Sequence, residues 1–281
     1  MRLTWGERTW VMGILNVTPD SFSGDGLATP DRGIDEVVAS AVEQAVVFVA
    51  AGAEILDVGA ESTRPRTAYG DRPPVDEATE TALAIPVVRA VAEAVGDRAL
   101  VSIDTSKGAV ARAALDAGAR IVNDIWAATR DPDTAVAAAE AGAHLVLMHN
   151  QEERGYPAGV FETVVSWLRS AVDEAVERGV ARERIIVDPG IGFGKGTEEN
   201  LELLRRLSEL KDALGGLPML IGTSRKRFLG ELLDGAPPDD RVEATAAAVA
   251  LAIAAGADIV RVHDVAHIAR TRRIVDAIVR G

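Results

Sequence analysis

The sequence predicts a single α/β barrel in which eight parallel strands alternate with helices, and three observations support this prediction. The chain has 281 residues, of which 48% are hydrophobic and only 4% aromatic, as is typical of aliphatic helices packed on a buried parallel sheet. Its length fits the roughly 250 residues of one such barrel. Strand-like and helical segments also alternate eight times without a break in composition. We therefore expect one (β/α)8 TIM-barrel domain over residues 1–281. An open doubly wound sheet is the alternative, because a strand count does not prove closure.

A short glycine motif marks four of the predicted turns from a helix into a strand. Each copy has a small residue, Gly, Ala and a polar residue before an apolar run, and each follows an Ala-rich stretch. The copies begin at Ala51, Ala117, Ala141 and Ala255. Glycine fits the left-handed backbone with which many helices end. The apolar runs that follow the motif are therefore predicted strands.

The other elements are predicted from the apolar runs and periodic stretches between these turns. The remaining strands are expected near 11–16, 100–103, 184–187 and 219–221. Helices are expected near 31–51, 76–95, 107–117, 132–141, 160–179, 198–213, 240–255 and 265–279.

Charge and cysteine content narrow the classes of partner. The net charge of −13 argues against a nonspecific nucleic-acid partner or an anionic membrane. An anionic substrate would need a local cluster of Arg and Lys. The chain contains no cysteine, which excludes disulfides and thiol catalysis and favours a cytoplasmic location. The apolar run Val11–Val17 is too short to span a membrane.

Polar residues follow every predicted strand, and this is the main functional signal. In a parallel barrel the site lies at the carboxyl ends of the strands. The residues at those ends are Asn16, Asp57, Asp104, Asn123, Asp124, His149, Asp188, Ser224, Arg225, Lys226, Arg261 and His263. Each Asp or Asn alone could be a helix cap or a turn former. Together, at one end of one barrel, they predict a binding site.

Two loops after the first two strands are long, at 18–26 and 61–70, and rich in Gly, Pro and hydroxyl groups. We expect them to be mobile lids, with plain flexible connections as the alternative.

Several motif tests are negative. The tract Gly190–Gly196 lacks the spacing of a nucleotide-binding loop, and Gly222–Lys226 is not a nucleophile elbow. His263 and His267 have helical metal-pair spacing, but no thiol or third His lies nearby, which disfavours zinc.

The same segments resemble one family, the dihydropteroate synthases, along nearly the whole chain. The matching segments are Gly13–Ser23, Glu61–Pro65, Ser102–Thr105, Val122–Ile125, Leu147–His149, Asp188–Lys195, Ser224–Lys226 and Arg261–Val265. The resemblance implies an enzyme that joins 6-hydroxymethyl-7,8-dihydropterin diphosphate to 4-aminobenzoate, releasing diphosphate and forming 7,8-dihydropteroate. It also implies a homodimer, which we expect to form through late helices.

The resemblance assigns roles to individual residues of this chain. The pterin would be held by Asp104, Asn123, Met148, Asp188 and Lys226. The diphosphate would be held by Asn16, Thr63, Arg261 and His263, with Mg²⁺ as cofactor and Asn16 as its protein ligand. The 4-aminobenzoate would contact Thr63, Arg64, Pro65, Phe193, Ser224 and Lys226. The implied catalytic residues are Asp20, Arg64 and Lys226, with Phe22 beside Asp20 in the first loop.

These assignments agree with the chemistry of the implied reaction. Diphosphate leaves readily once its charge is compensated, which Mg²⁺, Arg261 and His263 could do. Its departure leaves a carbocation-like methylene conjugated with the pterin, so a weakly nucleophilic arylamine suffices. We therefore expect a dissociative displacement from which the two lids exclude water.

Three segments depart from the family pattern. Arg66 stands where the family usually has Gly, the first loop reads Ser23-Gly24-Asp25-Gly26, and the stretch 150–155 is more acidic than usual. Two alternatives therefore remain open. One is a folate-dependent methyltransferase barrel, which would have no need of Arg261, His263 or the Ser224–Lys226 tract. The other is a pterin-binding paralogue whose activity is altered through its second loop.

Overall fold

Parallel strands form the centre of the molecule. The structure is a computed structural model, and residues 1–18, 27, 32–61, 75–151 and 155–281 are described. The described residues contain eight strands, namely β1 (Trp10–Asn16), β2 (Ile55–Gly59), β3 (Leu100–Asp104), β4 (Ile121–Asp124), β5 (His144–Met148), β6 (Ile185–Asp188), β7 (Leu220–Ile221) and β8 (Ile259–Val262). All the predicted strands are confirmed.

The strands close into a barrel. Their hydrogen-bonded order is β6-β5-β4-β3-β2-β1-β8-β7. A parallel bridge between Val187 and Met219 joins the two ends of this order, and the Val187 amide donates to the Pro218 carbonyl over 2.9 Å. The predicted barrel is confirmed, and the open sheet is wrong.

Helices surround the barrel close to where the periodicity predicts them. They are α1 (Ile34–Ala51), α2 (Glu77–Val95), α3 (Gly108–Asp116), α4 (Asp133–Ala141), α5 (Val160–Glu177), α6 (Thr197–Arg205), α7 (Leu207–Ala213), α8 (Arg227–Leu232), α9 (Val242–Ala254) and α10 (Val265–Val279). The single helix expected over 198–213 is two helices, because the backbone leaves the helical region at Arg206 (φ −106°, ψ 22°). The short helix α8 was not predicted. The four motif glycines all have positive φ, so the predicted turns are confirmed.

The barrel interior changes from apolar to polar along each strand. Its amino-terminal half is filled by residues such as Ile55, Ile121, Ile186 and Ile259. Two positions further along, on the same face of the strand, stand Asp57, Asn123, Asp188 and Arg261. The strand period of two therefore places the polar side chains in the carboxyl-terminal mouth, directly above the apolar plug.

No helix in the described part of the chain is long and apolar enough to cross a membrane.

Candidate active site

A charge cluster fills the floor of the barrel mouth. The Arg261 guanidinium on β8 donates from Nε to Asp57 Oδ2 over 2.6 Å and from Nη2 to Asp104 Oδ2 over 2.8 Å. The Asn123 amide donates to the same Asp57 oxygen over 2.9 Å. Backbone register explains this convergence, since Asp104 pairs with Gly59 on one side and with Asn123 on the other. The predicted pterin residues Asp104 and Asn123 thus share one network with the predicted diphosphate residue Arg261.

Asp104 keeps a polar atom available for a ligand. Burial raises the pKa of Asp104 to about 8, Arg261 opposes that rise, and the neighbouring Asp57 carboxylate reinforces it. Asp104 therefore favours its protonated form at neutral pH. Its Oδ1 atom is buried and has no hydrogen-bond partner among the described residues. A buried polar atom without a partner is costly, and a ligand with a polar edge would satisfy it.

Asp188 forms the second carboxyl group of the mouth. Its Oδ1 accepts a hydrogen bond of 2.7 Å from the Gly190 amide. Burial raises the pKa of Asp188 to about 6, while that hydrogen bond and the charges of Lys226 and Lys195 hold it lower. Met148, which pairs with Asp188 in register, is buried beside it. Met148 and Asp188, two of the five residues that the resemblance assigns to the pterin, are therefore adjacent.

Lys226 lies against the loop that follows β6. Its ammonium nitrogen is 3.9 Å from the centre of the Phe193 ring, a cation–π distance. Gly192 has φ +82°, and a Cβ there would lie 2.8 Å from Lys226 Cδ. Only glycine leaves room for the lysine stem at this point. The structure thus brings together Phe193 and Lys226, which the resemblance places at the aminobenzoate.

Ser224 and His263 form a pair beside Arg261. The Ser224 hydroxyl oxygen accepts a hydrogen bond from the His263 amide over 3.2 Å and lies 3.0 Å from His263 Nδ1. Burial, together with the charges of Arg225 and Arg261, lowers the pKa of His263 to about 3. This ring is therefore neutral before a ligand binds. In the ligand-free protein the positive charge beside Ser224 therefore comes from Arg261, and the expected role of His263 at the diphosphate stays a prediction.

Asn16 stands at the carboxyl end of β1 and is half-buried. Its backbone pairs in register with Gly59, and its carbonyl accepts from the Leu27 amide over 3.0 Å. The described residues contain no group of three or more His, Cys, Asp or Glu side chains able to hold a metal. Mg²⁺ usually keeps several waters and takes further ligands from substrate phosphates, so a single side-chain oxygen of Asn16 could serve as its protein ligand, and this assignment stays a prediction.

Several predicted site residues lie outside the described residues, namely Asp20, Phe22, Thr63, Arg64 and Pro65. The departure at Arg66 lies there too.

Among the polar strand-end residues, Asp124 has a different role. Its carboxylate accepts from the Trp126 and Ala128 amides and from the Thr134 hydroxyl at 2.8–3.0 Å. It therefore closes its own turn.

Two residues near the site have no role in the sequence prediction. Arg241 donates from Nη1 to the carbonyls of Arg225 (2.9 Å) and Lys226 (3.2 Å), and from Nε to the Ala236 carbonyl (2.7 Å). The sequence carries no local signal for this contact, because Arg241 follows Lys226 by 15 residues. Lys195 is the other, and its signals were the glycine-rich tract and the family-matching segment Asp188–Lys195, which it ends.

The fold and the polar mouth define an α/β-barrel enzyme. A sequence profile of the family described as pterin binding enzyme matches residues 12–263. The chain therefore belongs to the pterin-binding enzyme family, as the sequence resemblance indicated.

Relatives within the family are dihydropteroate synthases. The Bacillus subtilis dihydropteroate synthase is 45% identical over 275 residues, covering 98% of this chain and 90% of that one. The enzyme from Synechocystis sp. is 43% identical over 285 residues, covering 98% and 92%. The crystal structure of the Clostridium difficile enzyme in the presence of pteroic acid has a TM-score of 0.90 at 40% identity, covering 100% of both chains. A Yersinia pestis synthase structure with a sulfonamide drug has a TM-score of 0.86 at 36% identity and covers 99% of both.

Proposed function

We propose that this protein is a dihydropteroate synthase, which condenses 6-hydroxymethyl-7,8-dihydropterin diphosphate with 4-aminobenzoate and releases diphosphate. One observation carries the proposal at atomic level. The buried network of Asp57, Asp104, Asn123 and Arg261 places polar groups for a pterin edge beside a guanidinium for an anion. The full-length similarity to dihydropteroate synthases supports the same activity.

The pterin ring would bind above the apolar plug of the barrel. Its edge presents alternating donors and acceptors, which carboxyl and amide side chains can match. Asp104 and Asp188 are both buried with raised pKa values, so each can act as a donor or an acceptor according to its protonation. Asn123 is held by Asp57, and the amide thus stays in place when the ligand enters. This pre-organisation supports tight and selective pterin binding.

The diphosphate would lie at Arg261, with His263 as a neutral donor and Asn16 as the protein ligand of Mg²⁺. When bound, Mg²⁺ would supply positive charge that stabilises the leaving diphosphate. The Arg261 guanidinium spends Nε and one Nη2 hydrogen on carboxylates, and of its five N–H donors the others remain for phosphate oxygens. The same side chain can thus bridge the pterin pocket and the leaving group.

The reaction would proceed by dissociative displacement. The bond between the pterin methylene carbon and the diphosphate oxygen breaks first, and its electron pair leaves with diphosphate. The amino nitrogen of 4-aminobenzoate then attacks the cationic methylene and loses a proton to water. Phe193, Ser224 and Lys226 would frame the aminobenzoate, and Lys226 would also contact the pterin. Asp20, Thr63, Arg64 and Pro65 would complete the site.

The protein would act as a homodimer in the cytoplasm. Leu251 on α9 and Ile274 and Ile278 on α10 are apolar side chains that remain exposed, and these two helices pack on each other. Apolar side chains exposed on neighbouring elements favour an interface between subunits.

A two-substrate assay of diphosphate release, with and without Mg²⁺, tests the function. The expected result is net release that requires both substrates, because without aminobenzoate the cleaved diphosphate recombines with the cation, and release should fall when Mg²⁺ is removed. Clean pterin binding without release would favour the altered paralogue. Methyl transfer from a reduced folate to a corrinoid would favour the methyltransferase barrel, a reading that the presence of Arg261, His263 and the Ser224–Lys226 tract argues against. Release of diphosphate without aminobenzoate, at the full rate, would contradict the synthase.

A further inference from the structure

Lys195 is a buried cation without a carboxylate partner in the part of the chain that the structure describes. The residue is only 5% exposed. The ammonium donates to the carbonyls of Gly190 and Phe193, each over 3.0 Å, and lies 2.9 Å from His149 Nδ1. Buried lysines are rare unless their hydrogen bonds are satisfied. These three contacts use the full donor capacity of the ammonium.

The loop Gly190–Gly196 wraps around this ammonium. Gly190, Gly192 and Gly194 all have positive φ, between 62° and 82°. A Cβ on Gly190 would lie 1.9 Å from the His149 carbonyl oxygen and 3.2 Å from the Lys195 nitrogen. The loop therefore cannot take this path with a side chain at Gly190. Its glycines allow the carbonyls of Gly190 and Phe193 to face Lys195, which donates to both, while the Gly190 carbonyl also accepts from the Phe193 amide over 3.1 Å.

The loop in turn contacts Lys226 from two sides. Phe193, whose carbonyl is bound by Lys195, presents its ring 3.9 Å from the Lys226 ammonium. Gly192 packs against the Lys226 stem. A short path of contacts thus runs from the Lys195 ammonium through the Phe193 backbone and ring to Lys226.

The contacts around Lys195 can persist whether or not it is charged. Burial lowers the pKa of Lys195 to about 7, Asp188 opposes that shift, and Lys226 reinforces it. As an ammonium, Lys195 donates to two carbonyls and to His149 Nδ1. As an amine, it can donate to the same carbonyls and accept from a protonated Nδ1, since neutral histidine has two tautomers. The pair can therefore hold the loop on both sides of neutral pH.

We propose that Lys195 is a positioning residue, which holds the Gly190–Gly196 loop so that Phe193 fixes Lys226 where the pterin and aminobenzoate sites meet. This inference rests on the proposed function, because it assumes that Lys226 contacts both substrates. A merely structural lysine would stabilise the loop without setting Lys226. The two roles differ in their kinetic consequences and in their coupling to Phe193.

A double-mutant cycle between Lys195→Met and Phe193→Leu tests the proposal. Lys195→Met keeps the apolar stem and removes the three contacts, and Phe193→Leu removes the ring. We expect each single variant to lower kcat/KM for aminobenzoate about tenfold or more, since small misplacements of a reacting group are costly. The kcat/KM of the double variant should equal that of the less active single variant, because both substitutions break the same path of contacts. Additive losses, or kinetic constants that stay at the wild-type level, would overturn the proposal.

Lys211→Met is the matched control. Lys211 also donates to a carbonyl, that of Gly256, and to the Asp258 carboxylate, each over 2.7 Å, but it lies outside the barrel mouth. The Lys211→Met substitution should lower Tm and leave the kinetic constants unchanged. If Lys195→Met fails to fold, His149→Phe takes its place in the cycle. It removes one of the three contacts while keeping a ring against Trp167, so a smaller loss that is again non-additive with Phe193→Leu is expected.

A crystal structure of the Lys195 variant separates this inference from the proposed function. The inference predicts that the Phe193 ring leaves its position 3.9 Å from the Lys226 ammonium. An unchanged Phe193 in that structure would refute it, whatever the activity. An inactive wild-type chain would instead refute the proposed function, and the position of Phe193 would still decide the role of Lys195.

Discussion

The Arg261 guanidinium donates from Nη2 to Asp104 Oδ2 over 2.8 Å, between strands that are separated in the barrel by two others. The resemblance assigns Asp104 to the pterin and Arg261 to the diphosphate, so this pair joins the two halves of one substrate's site. Arg261 also binds Asp57, which the sequence placed at a strand end without assigning it a role. The guanidinium therefore has a structural task as well as the proposed anion-binding task.

Replacing Arg261 by Met should impair both tasks. The Asp57 carboxylate would remain buried without its cation and Asp104 would lose a donor, and breaking a buried pair costs about 3 kcal/mol or more of unfolding free energy. Binding of the pterin diphosphate should weaken more than binding of the free pterin. Urea denaturation and parallel ligand titrations measure the two effects. Arg112→Met, which breaks an exposed pair with Glu140, is the control and should leave both unchanged. Equal losses for the two ligands would argue against the anion-binding role.

The titration of Asp104 should be visible in the pH dependence of stability. Its pKa is about 8 in the folded protein and about 3.9 in an unfolded chain. Between these values the folded state holds the proton, so the contribution of Asp104 to stability is full below about pH 4 and is lost as the pH rises through about 8. Asp104→Asn cannot titrate, and its Tm should therefore fall less than that of wild type between pH 6 and pH 9. Parallel Tm profiles in calorimetry would show that Asp104 is not the titrating group.

Arg241 should matter for turnover although it touches no proposed substrate. Its guanidinium holds the carbonyls of Arg225 and Lys226, and Arg225 has an unfavourable φ of +57°. Arg241→Met should lower Tm and also lower kcat, because the turn that carries Lys226 loses two donors. Gly230→Ala is the companion variant, since a Cβ there would lie 2.3 Å from the Arg241 guanidinium. We expect it to produce the same combination. A lower Tm with unchanged steady-state constants in both variants would restrict Arg241 to a structural role.

These contacts show why the sequence predicts the fold more fully than the site. Strand positions follow from local patterns, and the two-residue period from Ile186 to Asp188 or from Ile259 to Arg261 places polar groups in the mouth. The pairing of Arg261 with Asp57 depends on closure of the barrel and joins positions 204 residues apart. No local pattern encodes it.

The family resemblance supplied roles that residue chemistry alone left open, but it could not supply protonation. Burial and two neighbouring arginines lower the pKa of His263 to about 3 in the ligand-free protein, which the motif alone does not indicate, and the role of His263 at the diphosphate stays a prediction. The short helix α8 was missed because its six residues are too few to show a helical period. The assignments to Asp20, Thr63, Arg64 and Pro65 stay predictions.

Lys226→Ala should impair the use of both substrates together. The ammonium lies at the Phe193 ring, and its charge also lowers the pKa of Asp188, so the two proposed subsites share it. We expect KM to rise for the pterin diphosphate and for aminobenzoate, with kcat falling in the same variant. Lys211→Met again serves as the control. Near-normal turnover of the Lys226 variant in the diphosphate-release assay would contradict the assignment.

The proposed homodimer should depend on the exposed apolar side chains of the last two helices. Leu251, Ile274 and Ile278 are 73%, 65% and 77% exposed, and burial against a second copy would remove that apolar surface from water. We expect wild type to sediment as a dimer at micromolar concentration and the variant Leu251→Asp/Ile278→Asp to sediment as a monomer, because two buried, unpaired carboxylates would oppose association. Val176→Asp, at a 40% exposed position on α5, is the control and should remain dimeric. Analytical ultracentrifugation over a range of concentrations measures all three. A wild-type protein that stays monomeric throughout would refute the dimer, whereas a double variant that still dimerises would place the interface on another face.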